Sequence, residues 1–234
     1  MLRAEQIHSG YGRTKILAGL SLRVEPGEMV AVLGRNGVGK TTLLRTIVGH
    51  QRTSEGRLEF DGREISRLPV HARARLGIAY VPDSRDVFPG LSVLDNLRVA
   101  AYAAGRGAKR RTPEEMLAEF PALAEKRDAR GGSLSGGQQQ ILAVARALIA
   151  SPKMLLLDEP SEGVQPSIVQ EIAALIRSAN ERLGVTVVLV EQNLDFAVRV
   201  APTAHLMNRG SLVRTLPTAE LLNDKLLQRE YLGV

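Results

Sequence analysis

Apolar residues fall into two kinds of run along this chain. Compact runs of strand length, "GEMVAVLG" (27–34), "KMLLLDEP" (153–160) and "VTVVLVEQ" (185–192), place them at nearly consecutive positions. Runs of that kind predict strands buried on both faces. Longer stretches, "KTTLLRTIVGH" (40–50) and "SIVQEIAALIRSANERLG" (167–184), space them at a helical period. Strand, loop and helix, followed by strand, helix and strand, predict an α/β fold with a mostly parallel sheet. Before and around the first of these, "LRAEQI", "ILAGLSLRV" and "GRLEFDG" predict an N-terminal antiparallel β subdomain. From about residue 84 to 150 the pattern is nearly all helical and more charged, including "TPEEMLAEFPALAEKRD". A helical subdomain inserted in the α/β core, within one domain covering 1–234, is the expected organisation. The closing "PTAELLNDKLLQREYLGV" reads as a final amphipathic helix and a short tail.

Composition removes several classes of function. A chain of 234 residues with 44% hydrophobic and 24% charged residues buries a sizeable core and has no signature of disorder. No apolar run approaches the ~20 residues needed to cross a bilayer, and no signal-peptide core precedes the first strand, so a cytosolic location is expected. The absence of cysteine excludes disulfides, thiolate catalysis and cysteine metal sites. His8, His50, His71 and His205 lack metal-ligand spacing. The net charge of +6 comes mostly from scattered arginines, with one local run, "RGAKRR" (106–111). That run reads as a solvated surface, with anionic lipid or nucleic acid as alternatives. At 3% aromatic residues, the chain lacks the stacking platforms of a single-strand nucleic-acid binder.

The chemistry concentrates in three motifs. "GRNGVGKTT", Gly34 to Thr42, fits the phosphate-loop pattern G-x-x-x-x-G-K-[ST] between a predicted strand and a predicted helix. Its glycines turn backbone N–H groups around phosphate oxygens, Lys40 reaches the outer phosphates, and the Thr41 hydroxyl suits magnesium. Gly34, Asn36, Gly37, Gly39, Lys40, Thr41 and Thr42 are the expected phosphate-binding residues, and Mg2+ the expected metal. "MLLLDEP" ends an apolar strand in Asp158, a second magnesium candidate, and Glu159, placed to orient or deprotonate an attacking water. "SLSGGQQQILAVARAL" (133–148) opens a helix with a serine and two glycines. A helix N-terminus with exposed amides is an anion site.

Phosphate loop, "LSGGQ" and "LLLDEP", in that order with a helical stretch before the second, resemble the nucleotide-binding subunit of an ATP-binding-cassette transporter. The resemblance covers the whole chain and implies two cassettes closing head to tail over two ATP molecules. Ser135, Gly136 and Gly137 of one chain would then contact the γ-phosphate held by the other. The resemblance also assigns adenine stacking to Tyr11, whose other reading is a cover for its hairpin. Three positions depart from the family pattern. Asp83 follows "YVP", where a glutamine normally senses magnesium; Gln165 stands in the loop after Glu159, where aspartate is common; Gln192 replaces the histidine that contacts the γ-phosphate. Gln192 joins Glu159 as an expected catalytic residue, and Asp83 joins Thr41 and Asp158 as an expected metal residue.

"VFPGLSVLDNL", "SEGVQPSIV", "LVEQNLDFA" and "YLGV" are similar to one of two ATPase subunits of importers for branched-chain amino acids, urea and short amides. "RNGVGKTTLLR" with "SEGVQPSIV" leans towards the urea and amide members. The implied partners are a second ATPase subunit, integral membrane permeases and, indirectly, a periplasmic binding protein, with no nucleic acid. The implied location is peripheral, on the cytoplasmic face of the membrane. An exporter subunit, a nucleic-acid or ribosome ATPase and a non-catalytic module are the competing readings. In "DVFPGLSVL" (86–94), Val87, Phe88 and Leu91 either await a membrane partner or fold back onto the helical core.

Overall fold

The structure, a computed structural model, describes residues 1–103 and 111–233. Chain order begins with β1 (Leu2–Tyr11), β2 (Thr14–Val24), β3 (Met29–Leu33), α1 (Lys40–Val48), β4 (Thr53–Phe60) and β5 (Arg63–Glu64). α2 (Val70–Arg75) and β6 (Ile78–Val81) follow, and then a stretch whose named elements are all helical: α3 (Val93–Ala103), α4 (Pro113–Glu119), α5 (Pro121–Ala124) and α6 (Gly136–Leu148), with a short 3-10 turn before α6. The chain returns to the sheet with β7 (Met154–Asp158), crosses through α7 (Pro166–Leu183) to β8 (Thr186–Glu191), and continues through α8 (Leu194–Val200), β9 (Thr203–Asn208) and β10 (Ser211–Pro217). Two short turns, α9 (Thr218–Leu221) and α10 (Lys225–Leu227), precede a π-type turn at Gln228–Leu232.

Strands β2-β1-β4-β5 make an antiparallel sheet, and β10-β9-β3-β8-β7-β6 make the central one, parallel except for β10 at its edge. The expected α/β class with an N-terminal antiparallel sheet is the one observed. Side-chain alternation divides the central strands between two cores. Ala31, Leu33, Leu155, Leu157, Val187 and Leu189 face the helices, whereas Val30, Val32, Met154, Leu156, Val188 and Val190 face α1 and the antiparallel sheet. Apolar residues on both faces explain the unbroken runs in the sequence.

The ends of α1 are fixed from both sides. At its start Gly39 takes φ 112°, a conformation open to glycine and strained for other residues. At its end the buried Arg73 donates to the carbonyls of Thr46 (2.7 Å) and Ile47 (2.8 Å). Burial lowers the Arg73 pKa to about 10, which leaves it charged at neutral pH and placed where a helix C-terminus favours a cation.

The stretch "TPEEMLAEFPALAEKRD" is helical as expected, in two helices, because Pro121 ends α4 at Phe120 and starts α5. One expectation is corrected: the final amphipathic helix is replaced by short turns, where the Asp224 side chain accepts from the Leu226 and Leu227 N–H groups and starts a new turn. The β9–β10 hairpin, turning at Arg209 (φ 44°) and Gly210 (φ 81°), has no counterpart among the expected elements. Of the basic run, residues 106–110 lie outside the described residues; Arg111 pairs with Glu119.

Candidate active site

The carboxyl ends of β3, β8 and β7 lie side by side, Leu33 beside Glu191 and Asp158 beside Val190. Ligands of open parallel sheets bind outside such ends. The loop Gly34–Gly39 leaves β3 there and delivers Lys40 and Thr41 at the first turn of α1. Arg35, Asn36 and Gly37 are exposed, Gly34, Gly39, Lys40 and Thr42 are buried, and Thr41 is half-buried. Asn36 and Gly37 thus present the outer rim of the loop.

Lys40 is enclosed by acceptors. Its Nζ donates to the carbonyls of Gly34 (2.8 Å) and Arg35 (3.1 Å) and pairs with Glu159 Oε1 at 3.0 Å. These three acceptors match the three N–H donors of the ammonium, so an anion reaching Lys40 would compete with them. Glu159 itself sits at φ 44°, a left-handed conformation that costs a non-glycine residue about 1–3 kcal/mol and is concentrated at functional sites. Its backbone is anchored by donation of its N–H to the Val190 carbonyl (3.0 Å).

Asp158 is fully buried, and each carboxylate oxygen has a donor. Thr41 Oγ1 donates to Oδ1 (3.0 Å) and the Tyr80 hydroxyl donates to Oδ2 (2.8 Å). Burial holds the Asp158 pKa above the usual carboxylate range, against the lowering effect of those two bonds. Burial and the Asp158 charge push the Tyr80 hydroxyl up as well. Thr41 and Asp158 thus form a hard oxygen pair of the kind that accepts magnesium alongside phosphates and water. Asp83 is exposed, caps the Ser84 N–H (2.8 Å), and lies near enough to Asp158 to raise its pKa electrostatically.

The remaining expected residues stand apart from this cluster. Tyr11 is 45% exposed and its hydroxyl contacts Arg45, which also reaches Tyr80. Gln192 is half-buried, and its amide donates to the Leu232 carbonyl at 3.0 Å. Ser135 caps α6 through a capping box: its Oγ accepts from the Gln138 N–H (3.3 Å), and Gln138 Oε1 accepts from the Ser135 N–H (3.0 Å). The helix start is thus less bare than its sequence suggests. Gly137 is buried against α7, where an added Cβ would lie 2.6 Å from Ile168. No hydrogen bond or ion pair among the described residues links Ser135, Gly136 or Gly137 to Lys40 or Asp158. Gln165 precedes α7 without capping it.

Two residues of the site escaped the sequence reading. Tyr80 is one strand over from Asp158, and nothing local marks its hydroxyl. Glu191 is only 2% exposed, and nothing local separates it from an ordinary polar strand end; its burial follows from the strands that flank β8.

A family model described as ABC transporter matches residues 17–162. The chain belongs to the ABC transporter family. It is 39% identical, over all of both chains, to the high-affinity branched-chain amino acid transport ATP-binding protein BraG of Pseudomonas aeruginosa. It is 37% identical, over 99% of this chain and 97% of the relative, to the lipopolysaccharide export system ATP-binding protein LptB of Escherichia coli K12. Among solved structures, the ADP conformation of the cassette MJ1267 aligns over 100% of this chain and 99% of that one, with TM-score 0.85 and 26% identity. The dimeric post-hydrolysis cassette MJ0796 bound to ADP and Pi aligns over 93% and 99%, with TM-score 0.83 and 25% identity. This chain is accordingly a nucleotide-binding subunit and an ATPase. No helix among the described residues is long and apolar enough to cross a membrane.

Gln192 supplies a graded test of the cassette's chemistry. A neutral amide bond is worth about 0.5–1.5 kcal/mol and a charged one about 1.5–3, so a glutamine stabilises a γ-phosphate less than a charged histidine. If Gln192 takes the expected place at the γ-phosphate, Gln192→Ala is expected to lower turnover modestly, by about two- to tenfold, and Gln192→His to raise it or leave it unchanged. Steady-state ATPase rates decide; a Gln192→Ala protein without measurable turnover would make the amide essential and overturn that ranking.

Proposed function

We propose that this chain hydrolyses Mg·ATP to power an importer of branched-chain amino acids, or of urea and short amides. The observation that carries the reading is the end-to-end match to the Pseudomonas amino-acid transport subunit. In it Lys40 and the loop amides hold the phosphates, Tyr11 stacks on adenine, and Glu159, released from Lys40, orients the attacking water. Thr41 and Asp158, with Asp83 nearby, are the residues that would hold magnesium, and such an ion would supply positive charge against that developing on the phosphates. Ser135, Gly136 and Gly137 complete the site of a second, like or unlike, ATPase subunit. The chain sits peripherally on the cytoplasmic face, bound to permeases that receive solute from a periplasmic binding protein. Residues 84–150 act as a helical subdomain within the single domain.

On this reading the loop after β6 is the surface that meets the permeases. Val87 packs on the helical core, whereas Phe88 is 40% and Leu91 37% exposed. The Arg146 guanidinium covers the Phe88 ring, 4.6 Å from its centroid. Beside them opens a cavity of about 730 Å3 whose lining is mostly apolar, Val70, Leu76, Ala100 and Ala143 among it, with Arg75, Arg85, Arg146 and Asp86 at charged positions. Such a lining suits a permease segment that is apolar and carries an acidic residue. Phe88→Glu is expected to leave ATPase activity within about twofold and to reduce uptake at least tenfold; normal uptake by that variant removes this surface.

The similarity to LptB favours an exporter as the second reading. Uptake of labelled leucine, valine, urea and acetamide in cells lacking the chain separates the two. Loss of one solute class, restored by the wild-type chain and not by Glu159→Gln, supports import. Unchanged uptake with a leaky outer membrane supports export.

A further inference from the structure

Glu191, the last residue of β8, is a buried carboxylate outside the phosphate cluster that accepts three hydrogen bonds. Its carboxylate is divided between two segments. Oε1 accepts from the Ser161 N–H (2.9 Å), two residues beyond Glu159; Oε2 accepts from the N–H groups of Gln192 and Asn193 (3.1 Å each). At 2% exposure these bonds are sheltered from water, and a buried carboxylate needs them all. We infer that Glu191 is a positioning residue that clasps the loop following Glu159 to the loop beginning at Gln192, so that the two respond to bound nucleotide as one unit. The inference rests on the roles given above to Glu159 and Gln192.

The geometry excludes a simple strand-end role. A strand terminus satisfied by its own neighbours would need only the Gln192 and Asn193 amides, which follow Glu191 directly. Oε1 instead reaches 30 residues back in sequence to Ser161. Electrostatic repulsion from Glu159 also reaches this carboxylate, so the clasp lies within range of the proposed catalytic group.

Two substitutions dissect the clasp. Glu191→Gln keeps the size but turns an NH2 group towards one set of N–H donors, so one segment loses its acceptor. Glu191→Asp keeps the charge and, as aspartates accept from the N–H two residues on, retains Asn193 while falling short of Ser161. Hydrogen exchange by mass spectrometry reads the coupling on the full chain, in a Glu159→Gln background that retains ATP, with and without ATP and magnesium. In the parent, ATP is expected to slow exchange in segments 159–165 and 190–196 together. In Glu191→Asp and Glu191→Gln the response of one segment should fall at least threefold while the other persists. In the Glu159-containing proteins kcat should drop at least tenfold with the KM for ATP changed less than threefold. Joint slowing retained in either folded variant overturns the inference while leaving the site intact. A parent that shows no ATP response in either segment overturns the reading of the site and the clasp with it. A merely structural role would lower the melting temperature of both variants with the joint response and kcat unmoved, which also counts against the clasp.

Discussion

Glu159→Gln is expected to lower the rate of ATP hydrolysis by roughly 100- to 10 000-fold, the span usual for loss of a positioned acid–base group, while ATP binds at least as tightly as before. The second half follows from the contact that Glu159 makes with Lys40. Glu159 Oε1 lies 3.0 Å from Lys40 Nζ, both little exposed, and triphosphate reaching the lysine would compete with that pair. A glutamine oxygen still accepts from Lys40 but without the charge, so phosphate competes against a weaker partner. The unliganded variant should be less stable than the parent, because truncating a buried pair leaves an uncompensated charge, and ATP should restore the difference. On a sizing column the variant with ATP should run as a dimer. Retained turnover, or ATP affinity reduced tenfold, would remove Glu159 from the role assigned to it.

Ser135→Arg is expected to abolish hydrolysis while sparing ATP binding to the same chain's Lys40 loop. In the proposed head-to-tail dimer, Ser135 faces the γ-phosphate held by the other subunit, and the bulky side chain blocks hydrolysis in that facing site. The structure shows what else that change removes. Ser135 is half of the capping box of α6, and losing an N-cap costs about 1 kcal/mol, so the arginine variant should also melt lower. Ser135→Asp separates the effects, because aspartate is a good N-cap and favours the helix dipole yet repels a facing triphosphate. It should melt near the parent and still lose at least 100-fold in turnover. Mixed with Lys40→Ala subunits, either variant should recover partial activity through one intact composite site. Mixed dimers that recover nothing at any ratio count against sharing between chains.

The phosphate-binding half of the site was legible in the sequence for a local reason. Gly34 to Thr42 is one continuous segment whose spacing alone sets the backbone geometry, and Asp158 and Glu159 end a strand marked by its own apolar run. Tyr80 and Glu191 were not legible, since their partners lie 78 and 30 residues away and a tyrosine or glutamate at a strand end has many ordinary readings. Gln192 was picked out by family resemblance, but its bond to the Leu232 carbonyl depends on how the C-terminal turns fold back. Those turns were read as one helix because their apolar spacing is helical; Asp224 capping, a local hydrogen bond stronger than the periodic signal, divides them.

By itself, then, the amino-acid order determined what periodicity and short motifs can encode: the parallel strands buried on both faces, the long helices α1, α6 and α7, the phosphate loop and the acidic strand end. Each rests on interactions within one segment, or on a pattern of burial that repeats along it. Tertiary structure alone decided that Lys40 rests against Glu159, that Asp158 accepts from Thr41 and Tyr80, and that Glu191 accepts from Ser161 as well as from Gln192 and Asn193. Those are contacts between segments brought side by side by sheet order β3-β8-β7-β6, and no period along the chain records which strand will lie next to which.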